Sequence, residues 1–450
     1  MPIAIVLILL VVGSLVFHFL SPWTFTPLAS NWSQIDDTID ITLLVTGFVF
    51  VAVNLFMAYA IIKYRAKKGA RATYDPENTK LETWLTILTS VGVAAMLTPG
   101  LFVWGEFVTV PDGAIEVEAT GQQWHWTYRY PGEDGEFGNV KSELITSANP
   151  YGMDPEDPFG MDDILIESPE VHIPVDVPIK FNLRSKDVLH DFAVAEFRVK
   201  MDLVPGMESY LWFTPTVLGT YEVLCEELCG IAHHTMRGAV VVDTQTDFNT
   251  WLAAQPTWSQ LSQTVAGNAS VGAAQYAVCA ACHGQQGEGL QALNAPKIAG
   301  QEPWYIRRQI QNYKDGMRGY HDDDIIAKTM VPMALTLVND AAVNNVIAHI
   351  GTLPDNPARA TIDGDVANGA RLYAVCAYCH GADGMGVEAY NAPRMAGMSD
   401  WYLAAQLRGF REEWRGEHPQ DFYGMQMGFM AKSLYDEQAI NDLIAYINTL

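Results

Sequence analysis

Basic residues are scarce in this chain of 450 residues, which has 27 lysines and arginines against 52 aspartates and glutamates. The formal net charge of −25 argues against a nucleic-acid partner or an anionic membrane surface and favours basic protein partners. No lysine or arginine precedes Lys63, so the apolar run from Ile3 to Leu20 lacks the basic region of a secretory signal. This run could be a signal cleaved near Ala29 or an additional membrane helix, and its length fits both.

Cysteine is equally scarce. The six cysteines form three close pairs, at positions 225 and 229, 279 and 282, and 376 and 379. Each pair lies in a short motif that also contains histidine, so no cysteine is left over for a structural disulfide.

Two further apolar stretches, Ile41 to Ile62 and Thr83 to Gly105, contain no charged residue. Each is long enough to cross a bilayer of about 30 Å, so together they predict a transmembrane helical hairpin. The connecting segment from Lys63 to Arg71 carries five basic residues, which places it in the cytoplasm by the positive-inside rule. Everything after Gly105 is therefore expected on the periplasmic side of a bacterial inner membrane.

From Ala114 the pattern changes to seven short alternating segments separated by turn residues, which predicts a β-sandwich or Greek-key barrel. The last two predicted strands flank the sequence CEELCGIAHHTM, from Cys225 to Met236. Thiolates, imidazole and a methionine thioether together are typical of an electron-transfer copper site. Two cysteines this close indicate two copper ions sharing both thiolates, with His190 as a candidate second imidazole; a zinc site or a disulfide are the alternatives.

A linker rich in Gln, Ser and Thr, at about 254–267, ends the β pattern, and helical periodicity follows. CAACH at Cys279 and CAYCH at Cys376 are haem c attachment motifs, in which two thiols bind the porphyrin and the histidine binds iron. A single such motif could be accidental or half of a zinc site, but here two copies lie 97 residues apart. The same offset pairs NAPKIAG with NAPRMAG, so the region is one duplicated domain.

The pattern CxExCGxxHxxM, preceded by DVLHxF, resembles subunit II of the haem-copper cytochrome c oxidases, with its binuclear copper A centre. The resemblance implies a cupredoxin fold and excludes His234, which is one residue out of register. The implied copper ligands are His190, Cys225, Glu227 through its backbone carbonyl, Cys229, His233 and Met236. The side chain of Glu227 would also bind magnesium at the boundary with subunit I.

The resemblance assigns roles to two more residues. In GQQWHWTYRYP, Trp124 matches the tryptophan that passes electrons to copper, although an aromatic strand is more often plain core. In KLETWLTILTS, Glu82 matches a glutamate at the entrance of a proton pathway, and an ordinary interfacial glutamate is the alternative. Arg129 stands where the family commonly has an acidic residue, near the docking place of the donor cytochrome.

The duplicated region resembles the two-haem bacterial soluble cytochromes c. There the methionine ligand lies seven residues before a leucine that opens the last helix, and Leu337 and Leu434 then select Met330 and Met427. Met333 and Met430 are interpreted as packing residues, with direct iron ligation as the alternative. The implied haem-binding residues are Cys279, Cys282, His283 and Met330 in the first copy, and Cys376, Cys379, His380 and Met427 in the second.

The predicted fold is therefore multidomain: a transmembrane α-helical hairpin with an N-terminal hydrophobic segment, a β-sandwich cupredoxin domain and two all-α cytochrome c domains. The expected boundaries are 1–32 for the hydrophobic segment, 33–107 for the hairpin, 108–253 for the copper domain, and 254–355 and 356–450 for the haem domains.

The resemblance implies the electron-entry subunit of a caa-type terminal oxidase. Electrons would pass from a cytochrome c donor through two haems and the copper pair to subunit I, which reduces oxygen and pumps protons, with subunit III beside it. The alternatives are a nitric oxide reductase core as partner, or a free-standing membrane-tethered redox shuttle or copper carrier. Glu82 and the second membrane helix favour docking on an oxidase core.

Overall fold

The computed structural model describes residues 2–21, 25–69, 71, 76–262 and 266–450. Residue 70 of the predicted cytoplasmic segment and residues 263–265 of the predicted linker lie outside the described residues. The helices are α1 Pro2–Leu20, α2 Ser33–Lys63, α3 Thr79–Phe107, α4 Gln245–Ala253, α5 Trp258–Leu261, α6 Ala269–His283, α7 Pro303–Lys314, α8 Ile325–Leu335, α9 Asp340–Ile350, α10 Val366–His380, α11 Asp400–Arg411, α12 Phe422–Ala431 and α13 Glu437–Ile447. The strands are β1 Ile115–Gln122, β2 His125–Tyr130, β3 Ile164–Ile166, β4 Glu170–Pro174, β5 Ile179–Ser185, β6 His190–Val194, β7 Val199–Leu203, β8 Ser209–Phe213, β9 Gly219–Cys225 and β10 Arg237–Asp243.

The first three helices are each long and apolar enough to cross a membrane. Helix α2 contacts both α1 and α3. Large apolar side chains such as Phe17, Phe48 and Leu88 are about 70% exposed on the outside of this group. An apolar surface of this extent requires lipid or partner subunits to cover it.

The membrane hairpin is attached to the sandwich at one end. Just before α2, the buried Trp32 donates from Nε1 to the carbonyl of Trp212 on β8, at 3.0 Å. Trp212 in turn donates to the carbonyl of Glu106 near the end of α3, at 3.2 Å. Asp36 in the first turn of α2 pairs with Arg198, at 2.7 Å. The β domain is thus held over the ends of α2 and α3 that lie opposite the basic connecting segment.

The β domain consists of two five-stranded sheets, with strand orders β3-β2-β1-β5-β8 and β4-β10-β9-β6-β7. Their facing sides form one core that includes Trp126, Phe181, Phe192 and Phe213. The seven strands predicted from alternation are present, and β4, β6 and β7 are additional. Strand β6 is buried along its whole length, so its sequence HDFAV shows no alternation that could have predicted it.

Arg129 is buried, which corrects the expectation that it places a charge at the donor's docking surface. It lies on β2 directly opposite Glu118 of β1. Its guanidinium contacts the carboxylates of Glu118 and Asp163 at 2.8 and 2.7 Å, and its side chain is 1% exposed. Opposite charges at facing positions of paired strands attract each other, and here both are enclosed by the domain.

Each haem domain is built around a close crossing of its first and last helices, α6 with α9 and α10 with α13. A glycine occupies the same position of both crossings. A Cβ added to Gly272 would lie 1.8 Å from the carbonyl oxygen of Asn345, and one added to Gly369 would lie 2.0 Å from that of Asp442. Because no side chain fits at these distances, the glycines allow the helix backbones to touch.

Candidate metal and haem sites

The predicted copper ligands meet at one end of the neighbouring strands β6, β9 and β10. Cys225 is the last residue of β9, and the loop that follows it returns to β10 at Arg237. His190 is the first residue of the neighbouring strand β6. The pairing of β6 with β9 therefore brings the distant histidine to the loop.

The two thiols form the centre of this cluster. The Sγ atoms of Cys225 and Cys229 are 3.7 Å apart, and both cysteines are free. Cys225 Sγ lies 3.9 Å from Nδ1 of His190 and 3.2 Å from the carbonyl oxygen of Glu227. A disulfide would need about 2.0 Å between the sulfurs, so the disulfide alternative does not describe this arrangement.

The remaining donors approach from the other side of Cys229. Its Sγ lies 3.5 Å from Nδ1 of His233 and 3.9 Å from Sδ of Met236. His234 points elsewhere, since its ring contacts that of Phe429 at 6.2 Å between centroids. The structure thus brings together all six predicted donors and leaves out the histidine that the motif excluded.

The donor set fits a copper pair better than zinc. Zinc sites are usually completed by four ligands of the cysteine, histidine or carboxylate type, whereas a thioether and a backbone carbonyl are added here. His190, Cys229 and Met236 are each at most 2% exposed, whereas Glu227 and His233 are half-buried. Gly121 makes room for the imidazole, because a Cβ there would lie 3.1 Å from a ring carbon of His190.

The contact between Cys225 and Cys229 shifts the pKa values of the two thiols in opposite directions. The hydrogen bond from Cys229 lowers the pKa of Cys225 to about 3. The same contact, together with burial, raises the pKa of Cys229 above its ordinary value. Without a cation the pair therefore keeps one proton between its sulfurs, and metal binding would replace that proton.

Asp187 and Gln123 support the cluster, and the sequence analysis missed both. Asp187 Oδ1 lies 2.8 Å from Nε2 of His190, which orients the ring with Nδ1 toward the thiols. Burial lowers the pKa of His190, but the hydrogen bonds with Asp187 and Cys225 outweigh it and raise that pKa. Gln123 donates from Nε2 to the carbonyl of Cys229 at 2.7 Å. The one signal in the sequence that could have identified Asp187 is that it lies three residues before the proposed ligand His190.

Trp124 and Glu82 lie in very different places. Trp124 follows Gln123 in the turn between β1 and β2, and its Nε1 donates to the carbonyl of Cys229 at 3.2 Å. Glu82 lies exposed in the first turn of α3, about 38 Å along that helix from Phe107. The structure therefore joins Trp124 to the cluster and keeps Glu82 at the other end of the hairpin.

The haem-attachment motifs occupy the ends of α6 and α10. His283 and His380 are the last residues of these helices, and their Nδ1 atoms lie 2.8 and 2.7 Å from the carbonyls of Pro296 and Pro393. A hydrogen bond at Nδ1 fixes the tautomer and leaves Nε2 available to iron.

A cavity of about 1110 Å³ extends through both haem domains. It is lined by residues that the two copies of the repeat share. They include His283, Cys279, Cys282 and Met330 of the first copy and His380 and Met427 of the second. Met333 also lines the cavity, but its side chain is 41% exposed while that of Met330 is half-buried. The lining is mainly apolar and suits two porphyrins, and the burial favours Met330 over Met333.

Two buried arginines face each other across the boundary between the haem domains. Arg318 and Arg415 occupy the same position in the repeat, 97 residues apart, and both line the cavity. Each hydrogen-bonds the side-chain oxygens of Gln309 and Gln406. Their Nε atoms are buried without a hydrogen-bond partner in the described part of the chain. Cations oriented this way fit a ligand that carries acidic groups, as haem does.

Comparisons with known proteins show which families the parts of this chain match. Residues 115–244 match the family described as cytochrome c oxidase subunit II, periplasmic domain, and residues 269–354 and 366–450 match the cytochrome c family. The alternative cytochrome c oxidase subunit 2 of Bradyrhizobium diazoefficiens is 53% identical over 262 residues, which are 58% of this chain and 95% of that protein. The cytochrome c oxidase subunit 2 of Cereibacter sphaeroides is 28% identical over 238 residues, 50% of this chain and 77% of that protein. Among solved structures, reduced cytochrome c4 of Pseudomonas stutzeri is 28% identical and matches 41% of this chain and 100% of its own, with a TM-score of 0.33.

The fold and these sites define a membrane-anchored electron-transfer protein with one copper-binding domain and haem-binding cytochrome c domains. The chain belongs to the cytochrome c oxidase subunit 2 family, whose members are subunits of an oxidoreductase complex. The predicted family and the predicted multidomain fold class are both confirmed.

Proposed function

We propose that this chain is the electron-entry subunit of a caa-type respiratory terminal oxidase in a bacterial inner membrane. It would receive electrons from a cytochrome c donor and deliver them to a haem-copper subunit I that reduces oxygen and pumps protons, with subunit III beside it. The observation that carries the proposal is the cluster of six donors around Cys225 and Cys229 on a membrane-anchored domain followed by two haem domains.

In this proposal the residues at each site have separate roles. When bound, the copper pair and the two haems accept and release single electrons, so that copper and iron change oxidation state while no covalent bond breaks. The copper ligands are His190, Cys225, the carbonyl of Glu227, Cys229, His233 and Met236. Covalent haem attachment falls to Cys279 and Cys282 and to Cys376 and Cys379, and iron ligation to His283 with Met330 and His380 with Met427.

The protein frame supports these roles in a way that suits electron transfer. The proposed copper ligands lie at the ends of paired strands, and hydrogen bonds with Asp187 and Gln123 hold them in place. They therefore need to move little when the metal changes its charge. Four of the six donors are buried, so little solvent has to reorient around them. The contact of Trp124 with the carbonyl of Cys229 supports its proposed part in passing electrons to copper.

Two parts of the proposal concern the contact with subunit I. Glu82, exposed at the end of α3 far from the copper cluster, would lie at a proton-pathway entrance of subunit I. The carboxylate of Glu227 would bind magnesium at the boundary with subunit I. The boundaries at 32, 107, 253 and 355 are kept as the proposed limits of the units.

Metal analysis and paramagnetic resonance of the purified full-length protein test the copper assignment. We expect two coppers per chain and an oxidised spectrum in which one unpaired electron is shared by two copper nuclei. His233→Ala should lose this spectrum, whereas His234→Ala, at the adjacent position, should keep it. A single-copper spectrum, or one copper per chain in the unmodified protein, would refute the assignment.

A further inference from the structure

Helix α12, which carries Met427, lies directly on the copper domain. Gln426 donates from Nε2 to the backbone carbonyl of Gln123, at 2.5 Å. The side chain of the same Gln123 donates to the carbonyl of Cys229 at 2.7 Å. Two hydrogen bonds therefore connect the neighbour of a proposed iron ligand to a proposed copper ligand.

Aromatic contacts surround this connection. His125 of the copper domain is stacked on Phe422 at 5.9 Å between ring centroids and meets Tyr423 edge-on at 5.4 Å. Its side chain is buried, at 5% exposure. On the other side, Phe429 meets His234 in the copper loop at 6.2 Å. The four residues of α12, Phe422, Tyr423, Gln426 and Phe429, are called the docking face below.

One contact outside α12 also joins the second haem domain to the copper domain. Ser147 of the copper domain donates from Oγ to Glu388 at 2.7 Å.

The first haem domain is attached to the second. Arg394 of the second domain donates to the carbonyl of Gly300 at 2.9 Å and pairs with Asp355 at 2.6 Å. The backbone N–H of Lys297 donates to Ser399 at 3.0 Å. Residues 366–450 thus contact both the copper domain and the first haem domain.

We infer that the docking face of α12 makes the second haem domain the immediate neighbour of the copper site, with the first haem domain one step further out. The inference rests on the proposed function, because it assigns an order to the two haem domains within that electron path. In this order the first domain receives electrons from outside and the second delivers them to copper.

The repeat shows why the second copy is suited to this position. Shifted by 97 residues, Gln426 corresponds to Thr329, and Phe429 corresponds to Pro332. A threonine is too short to make the contact of Gln426 with the Gln123 carbonyl and has no amide donor. A proline has no aromatic ring to set against His234. The copies share their haem motifs but differ at the positions that touch the copper domain.

The experiment uses the full-length protein in detergent, carrying its haems and copper, and compares Gln426→Ala and Gln426→Ala/Phe429→Ala with Thr329→Ala. Two quantities are measured: the rate at which photoreduced c haem is reoxidised by copper, and hydrogen exchange of the backbone at residues 123–125. Loss of one hydrogen bond of ordinary strength should slow the transfer by about fivefold in Gln426→Ala, and more in the double variant. Exchange at 123–125 should rise in both variants and stay unchanged in Thr329→Ala.

The outcomes separate this inference from the function on which it rests. Unchanged rates and unchanged exchange in both docking-face variants would overturn the inference, as would slower transfer in Thr329→Ala alone. Absence of the two-copper spectrum or of c-type haem absorption in the unmodified protein would instead refute the proposed function. Hydrogen exchange at 123–125 would still decide whether the docking face is in contact with the copper domain.

Discussion

At the residue scale, the proposed copper ligands are not equivalent, because they differ in how many contacts depend on them. Cys229 Sγ is close to Cys225, His233 and Met236 together, whereas Met236 reaches the cluster only through Cys229 among the described contacts. In the proposed centre, a thiolate at this position would hold the two coppers together, and a thioether at the periphery would adjust the reduction potential.

We therefore expect Met236→Leu to keep both coppers and to change mainly the reduction potential. Leucine conserves the volume of the buried side chain, so the loss of folding stability should be below about 1.5 kcal/mol. Cys229→Ser should lose the shared-electron spectrum and at least one copper. Redox titration and metal analysis of the two variants check this, and a Met236→Leu protein without copper would contradict it.

At the scale of elements, α8 and α12 carry the methionines that face the haem cavity. Both helices begin with an aspartate cap: Asp324 accepts from the N–H of Ala327 at 3.2 Å, and Asp421 accepts from that of Gly424 at 3.0 Å. The caps fix the starts of the helices and therefore the rotation that points Met330 and Met427 at the cavity.

Met330→His and Met427→His should each lower the reduction potential of one haem, on the order of 100 mV, because His/His ligation favours the oxidised iron more than His/Met does. Redox titration followed through the haem absorption bands would show one component displaced in each variant. Met333→Leu is the control and should keep the methionine–iron absorption band. Loss of that band in Met333→Leu would show that Met333 is the ligand of the first haem.

At the scale of the whole molecule, the distribution of charge determines where a basic donor can approach. Asp322 is fully exposed and Asp323 is 79% exposed, beside the start of α8 on the first haem domain. Asp324, the third of these consecutive aspartates, is instead buried as the cap of α8. Arg129 is buried as well, so it neither repels nor attracts a donor at the copper domain.

Reversing the charge in Asp322→Lys/Asp323→Lys should slow association of a basic cytochrome c with the holoprotein by several-fold at low salt. The effect should shrink toward 0.15 M salt, where the Debye length is about 8 Å. Stopped-flow reduction of the c haems over a range of ionic strength measures it. Glu133→Lys/Asp134→Lys, on an exposed loop of the copper domain, makes the same change of charge as a control. Equal slowing by the control variant would show that the donor docks on the copper domain instead.

Much of the candidate chemistry could be predicted from the sequence alone, because it depends on residues close together in the chain. Cys225, Cys229, His233 and Met236 share one loop of twelve residues, so their spacing alone keeps them near one another. The same holds for the CxxCH motifs, and the offset of 97 residues identified two equivalent domains. The membrane helices were also predictable, since a long apolar run has few alternatives to crossing a bilayer.

Tertiary structure decided everything that depends on which distant segments meet. His190 reaches the cluster only because β6 pairs with β9, and Asp187 and Gln123 support it only because the ends of two strands lie side by side. Arg129 became a buried ion pair because the β1–β2 register places it opposite Glu118. The choice of the second haem domain as neighbour of the copper site belongs to the same class. It depends on which of the two copies of the repeat packs against the turn at Gln123, and local spacing carries no information about packing between distant surfaces.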